Sequence, residues 1–317
     1  MPKAQNSLRM PDSVAITFAI CTYNRADYLD DTLLSLRNCE APARPVELLV
    51  INNNSTDHTK SVVKAHKKKG TDRITIRLAV EENQGLSHAR NRGIKEANAS
   101  IIIFVDDDIR ADKHYINAWL TFFDNHPDAK AAGGKIHVQF DHPRPKWMSS
   151  YLLPLLGHHD HGDSIKPYKT NDYPFGGNMA FKKEVFEEIG QFNTELGRIG
   201  SDLKASEEKE LFQRYRSRYE NILYVPDAKL HHRVNSARLT KEYISRQAIG
   251  LGQSMKLQMK RQSGFQKAYT ALKEVAKWIA TAVLFIYYVL KFESKKGVAL
   301  FQFRNWIRKG LFYNKRD

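Results

Sequence analysis

A chain of 317 residues, 42% hydrophobic and 27% charged, is long enough to bury a sizeable core in one large domain or two unequal ones. Its formal charge of +15 is lopsided: the 62 residues from Lys256 to Asp317 hold fourteen Lys or Arg against three Asp or Glu, leaving a surplus of only about four bases on the rest. A basic tail on a near-neutral body excludes a nucleic-acid groove across the main domain, and two cysteines without CxxC spacing exclude a disulfide scaffold or a cysteine zinc site.

Residues 1–12 are polar and read as a disordered tail without the apolar segment of a secretory signal. VAITFAI (14–20) and VELLVIN (46–52) read as buried parallel strands. Between them ADYLDDTLLSLRN has apolar residues at helical spacing, with acids near its start. STDHTKSVVKAHKKKG opens with a cap-like run and stops at Gly70. ITIRLAV (74–80), a helical stretch around SHARNRGIKEA and the strand IIIFV (101–105) follow. This is a βαβ series, hence an α/β doubly wound, Rossmann-like and mostly parallel sheet flanked by helices.

In such a sheet ligands bind at the carboxyl ends of the strands. Thr22 to Arg25, Asn52 to Asp57, Asn83 to Ser87 and Asp106 to Asp108 all fall at that edge. Three adjacent carboxylates in FVDDD (104–108) repel one another as they leave water, and a hard divalent ion such as Mg or Mn suits them. Neither a dinucleotide fingerprint nor a P-loop follows any strand.

With ICTYNR (20–25), VINNNSTD (50–57), ENQGLSHARN (82–91), FVDDD, PFGGNMAF (174–181), SEEKELFQR (206–214) and HRVNSARLT (232–240) in order, the chain resembles the family 2 glycosyltransferases, inverting enzymes with the A-type fold. The resemblance implies a catalytic domain over 13–254, with a nucleotide-sugar-binding half (13–110) and an acceptor-binding half (111–254). It assigns Asp106 to the ribose and the ion, Asp108 and His232 to the ion, and His231 competes with His232. Thr22, Asn24, Arg25, Asn53, Asp57, Asn83, Gly85, Arg90, Asn91 and Asp107 fall in its nucleotide-sugar pocket, and Arg238 at the diphosphate. Asn52 stands where relatives using uridine nucleotides often carry Asp; its amide oxygen can still accept, but Asn adds a donor face. The pair Glu207 and Glu208 resembles the motif that supplies the catalytic base, with Glu208 as the base and Glu207 holding the acceptor, the reversed assignment being the alternative. Trp147 can stack on an acceptor sugar or pack in its loop, and Gly176, Gly177 and Asn178 fit a close backbone approach to donor or acceptor. His158, His159, Asp160 and His161 look like a zinc cluster, but the resemblance does not need one, and they read as a mobile acceptor-side loop.

The remaining residues, 255–317, read as a basic helical extension. The apolar run WIATAVLFIYYVL (278–290) between lysines is shorter than the roughly 20 residues that span a bilayer. With the mixed aromatic and basic stretch 298–313 it reads as interfacial helices on an anionic membrane surface, the alternative being packing on protein. The expected activity is metal-dependent transfer of a hexosyl-type unit from a nucleotide-diphosphate sugar to a glycan or lipid-linked acceptor in cell-surface polysaccharide biosynthesis. Its expected setting is the cytoplasm, at the inner membrane face. The alternatives are a sugar-nucleotide-dependent nucleotidyltransferase and a non-catalytic nucleotide-sugar or glycan-binding protein.

Overall fold

The computed structural model describes residues 14–170, 172–196, 207–260 and 263–312; the expected disordered tail at 1–12 lies outside them. The expected βαβ series forms as β1 (Ile16–Thr22), α1 (Ala26–Arg37), β2 (Val46–Asn52), α2 (Thr59–Lys67), β3 (Ile74–Val80), α3 (Leu86–Glu96) and β4 (Ile101–Asp106). β2 is buried along its whole length, as a central strand with both faces covered should be, whereas β3 alternates buried and exposed residues at the sheet edge.

Beyond β4 come β5 (Ile109–Ala111), α4 (Tyr115–Asn125), β6 (Ala131–Phe140), β7 (Lys166–Pro167), β8 (Asn178–Lys182), α5 (Glu184–Ile189), α6 (Glu207–Arg218) and β9 (Leu223–Val234). The sheet order is β3-β2-β1-β4-β8-β6-β9-β5, with β7 on β9. The pairs β3–β2, β2–β1 and β1–β4 are parallel, while β8 lies antiparallel to both β4 and β6, and β5 and β7 lie antiparallel to β9. The mostly parallel sheet expected from the first hundred residues therefore holds for β1 to β4 only. The chain reaches the far side of β4 through long connections that permit either direction.

The described residues of 1–137 and 159–232 form one compact unit, and those of 138–158 and 233–317 a second. The expected boundary at 254 falls inside a continuous helix, α7 (Lys241–Lys260), which packs in the second unit with α8 (Gly264–Leu290) and α9 (Ser294–Phe312). That unit has its own core, including Met148, Leu152, Leu156, Ile244, Tyr288 and Leu300. Trp147 packs against this core, and the Arg238 backbone N–H donates to Asn235 O in the same unit. The run 278–290 is only partly outward: Trp278 and Phe285 meet Phe301 of α9. Among the described residues no helix is long and apolar enough to cross a membrane.

α7 and α9 cross at glycines. A Cβ on Gly310 would stand 2.1 Å from Ile249 O, and one on Gly252 2.1 Å from Ile307 O. Both obstacles are backbone, so no side-chain rotation relieves them. Gly310→Val should therefore force the helices apart and cost about 1–3 kcal/mol or more, read as a lower melting temperature of the full chain. An unchanged melting temperature would contradict this close crossing.

Candidate active site and its acid cluster

The parallel register puts Asp106 opposite Cys21, so the acids emerge beside the loop that leaves β1. Thr22 Oγ1 donates to Asp107 Oδ2 at 2.7 Å, and Arg25 bridges Asp107 Oδ1 and Asp108 Oδ2, both at 2.7 Å. Thr32 of α1 donates to the Asp107 carbonyl and accepts from the Ile109 N–H, fixing the turn from below. Thr32 was not among the expected site residues, because a buried threonine inside an amphipathic helix carries no separate signal. On β9, His232 pairs with Ile109 and points Nε2 to within 3.3 Å of Asp108 Oδ2. His231, one residue earlier, is opposite Arg110 and its ring lies 5.8 Å from that of His137.

Glu207 and Glu208 open α6 and share one partner. Arg90 of α3 donates Nη1 to Glu207 Oε1 at 3.1 Å and Nη2 to Glu208 Oε1 at 2.8 Å, over the ring of Phe192. The two acids differ in access: the Glu207 side chain is 1% exposed and that of Glu208 23%. Glu207 thus anchors Arg90 from a buried position, and Glu208 is the more accessible of the two. Tyr173, absent from the expectations, sits close enough that burial, and then Glu208, raises its hydroxyl pKa to about 12.

Gly176 and Gly177 tie the two groups together. A Cβ on Gly176 would lie 1.8 Å from Glu208 Oε1 and 2.1 Å from Arg90 Nη2; one on Gly177 would lie 2.4 Å from Asp106 Oδ2. The close backbone approach expected at these glycines is therefore to the protein's own acids. Asn178 is consumed by structure: its Oδ1 accepts from the Tyr115 hydroxyl, and its Nδ2 donates to the Lys135 and Ala228 carbonyls.

Several residues expected in a nucleotide pocket spend their bonds lacing the strand-end loops. Asn53 donates to the Glu81 and Asn83 carbonyls and accepts from the N–H of Gly85, whose φ of 144° favours glycine. Asp57 accepts from the N–H of Ala26 and of Thr59, capping the first turns of α1 and α2 together. Asn24 Oδ1 accepts from the Thr56 N–H, and Asn91 exchanges two bonds with the Phe192 backbone. Asn52 Oδ1 accepts from the Ser55 N–H, while its buried Nδ2 has no hydrogen-bond partner among the described residues. Of the two faces expected at Asn52, the oxygen is engaged and the donor is left unengaged.

Five carboxyls and two guanidinium groups meet here, with His232 beside them. At the opposite end of the sheet the buried Glu47 accepts from Thr17, Arg77 and twice from Asn98, a full donor set. Among the described residues Asp106 has no comparable complement. Burial and then Asp108 beside it push its carboxyl above the ordinary range, against the pull of His232 and Arg90. Asp107 is raised to about 7, chiefly by burial and against Arg25. One ligand atom each from Asp106, Asp108 and His232 falls within 4.8 Å of the others, the only such group of three among the described residues. Two carboxylates and an imidazole with this local excess of negative charge fit a divalent cation such as Mn²⁺ or Mg²⁺. The candidate zinc cluster does not assemble: His159 bonds the Tyr168 hydroxyl and bridges Ile136, and Asp160 pairs with His137. Cys21, with its thiol pushed up to about 12 by burial, supplies no nucleophile at neutral pH.

Because the Asp106 carboxyl must lose a raised proton to become a ligand, Mn²⁺ affinity should climb as pH rises above the ordinary carboxylate range, with protons released on binding. Calorimetry in buffers of different ionisation heat measures both, and pH-independent binding without proton release would remove Asp106 from the ligand set. Gly177→Ala should displace the Asp106 carboxylate and weaken Mn²⁺ by about 10–100-fold, the usual scale for residues that orient a ligand.

The model of the family "Glycosyl transferase family 2" matches residues 17–190. A glucosyl-dolichyl phosphate glucuronosyltransferase of Haloferax volcanii is 22% identical over 245 residues, 76% of each chain. A poly-beta-1,6-N-acetyl-D-glucosamine synthase of Staphylococcus epidermidis is 26% identical over 212 residues, 65% of this chain but 48% of the synthase, so the chain spans about half of that relative. Among solved structures, a mannosyltransferase of Pyrobaculum calidifontis in complex with GDP-Man and Mn²⁺ superposes with a TM-score of 0.57 at 18% identity. It covers 96% of this chain and 91% of that one, a likeness of fold. With the family match over more than half its length, and the acid cluster at the sheet edge where its motifs converge, the chain belongs to glycosyl transferase family 2.

Proposed function

We propose that this chain moves a hexosyl unit, with inversion, from a nucleotide-diphosphate sugar to a glycan or lipid-linked acceptor. Its setting is cell-surface polysaccharide synthesis at the cytoplasmic face of the membrane. The observation that carries the reading is the pair Gly176–Gly177. One glycine abuts Glu208 and Arg90 and the next abuts Asp106, so a candidate base and a candidate cation site flank the same two residues of backbone.

In this reading Asp106, Asp108 and His232 hold the divalent ion, which when bound offsets the negative charge that builds on a departing diphosphate. Arg90 fixes Glu208 through one oxygen. Glu208, the more exposed of the pair, takes the proton from the acceptor hydroxyl as that oxygen attacks the anomeric carbon. The bond from that carbon to the phosphate oxygen breaks on the opposite face, and its electron pair leaves with the nucleoside diphosphate. Arg25, Thr22 and Asp107 hold the acid turn. Trp147 and Arg238 remain proposed acceptor and diphosphate contacts on the strength of the resemblance. The relatives, a glucosyl-dolichyl phosphate glucuronosyltransferase and a poly-beta-1,6-N-acetyl-D-glucosamine synthase, support the acceptor class.

Glu208→Gln should retain donor and Mn²⁺ binding and lower turnover by about 10²- to 10⁴-fold, the usual worth of a positioned general base. Glu207→Gln should loosen Arg90, lowering both the melting temperature and turnover with little change in acceptor KM. The assay follows release of nucleoside diphosphate. Pyrophosphate as the product would make the chain a nucleotidyltransferase, and nucleotide binding without transfer to any glycan or lipid-linked acceptor would leave a binding protein. Full turnover in Glu208→Gln would remove that residue as the base.

A further inference from the structure

The outer face of α8 is apolar and open. Phe265, Leu272, Ile279, Val283, Ile286 and Leu290 recur at helical spacing and are between 59% and 84% exposed. Beside this stripe Val275, Ala282 and Val289 on one side and Ala280 and Tyr287 on the other carry no charge, while Lys273 precedes Ala280 on its side near the start of the helix. At its end Phe292 stands 99% exposed with φ of 59°, a conformation that bulky residues rarely adopt. Behind Phe292 lies a groove of about 560 Å³ bounded by residues 144–146, 148 and 292–296. It sets Arg144, Lys146, Lys295 and Lys296 against a single acid, Glu293.

We propose that this stripe and groove form one docking surface for an anionic lipid bilayer. α8 lies in the interface, Phe292 enters the acyl boundary, and the basic groove takes a lipid phosphate. The inference rests on the membrane setting proposed above and assigns the residues that make it. Charge decides against a second copy of the chain as the occupant. A helix pair in water buries a narrow seam and charges its flanks along its length, whereas these flanks are apolar from Val275 onward. Parallel or antiparallel, two copies would also bring the Lys267 and Lys273 end or the Lys291, Lys295 and Lys296 end against lysines. A bilayer with acidic headgroups complements both features.

The test is flotation of the full chain with vesicles of phosphatidylcholine alone or with roughly 30% phosphatidylglycerol, at low salt and at about 0.5 M. The wild type should float with the anionic vesicles, at least about tenfold better than with neutral ones, and high salt should release it. Lys146→Glu with Lys295→Glu should lower binding about fivefold or more for each site, and Ile279→Asp with Ile286→Asp should abolish it. All variants should keep the wild-type Mn²⁺ and nucleotide-diphosphate binding, which also reports that they fold. A wild type that stays unbound at low salt, or variants that float unchanged, would overturn the proposal. So would an oligomer in solution that the two aspartates dissolve without affecting flotation, which would give the face to a second copy. A chain that floats as expected but binds no nucleotide or Mn²⁺ would overturn the catalytic reading and leave this one standing.

Discussion

Like charge held out of water at the end of β4 is the constraint on which the first unit is organised. Asp106, Asp107 and Asp108 follow one another where a strand buried from Ile102 to Val105 surfaces, and repulsion among them grows as the dielectric falls. Compensation arrives from distant parts of the chain: Arg25 from the β1–α1 turn, Arg90 from α3 and His232 from β9. α6 delivers two more acids to Arg90. The compensation stops short, and Asp106 stays raised despite His232 and Arg90. An acid cluster left short of positive charge has a use only if something cationic completes it, and sites of this kind commonly cost stability for the sake of function.

The same shortage positions the chemistry. Arg90 cannot serve Asp106 fully because both its terminal nitrogens are committed to Glu207 and Glu208. That commitment fixes a carboxylate next to Gly176 while Asp106 sits next to Gly177. The candidate base and the candidate cation site thus abut neighbouring glycines of one backbone stretch. Any Cβ there would collide with one group or the other.

The parallel half of the fold was legible because it is local: period and caps place β1 to β4 and the helices between them within a residue or two. The antiparallel half was not, since β8 and β9 reach the sheet over long connections whose direction no local pattern encodes. The acids, Arg90 and His232 could be named from motif spacing, and His232 could be told from His231 only once β9 had a register against β5. What the motifs did not reveal was bonding to partners far along the chain. Asn178 is spent on Tyr115, Lys135 and Ala228, and Asp57 on the starts of two helices. The boundary expected at 254 followed the end of the family-like motifs, and it falls inside α7, which packs on α9 within the second unit.

The central claim, that the cluster is an electrostatic deficit awaiting a cation, is tested most directly by the melting temperature of Asp106→Asn with and without Mn²⁺ at pH 7.5. A carboxyl whose folded pKa is raised destabilises the fold at pH values above its ordinary pKa, and an amide removes the cost. The account therefore expects the metal-free variant to melt above the metal-free wild type, and Mn²⁺ to stabilise the wild type but not the variant. A variant that melts lower without metal, or that keeps the full Mn²⁺ response, would contradict it.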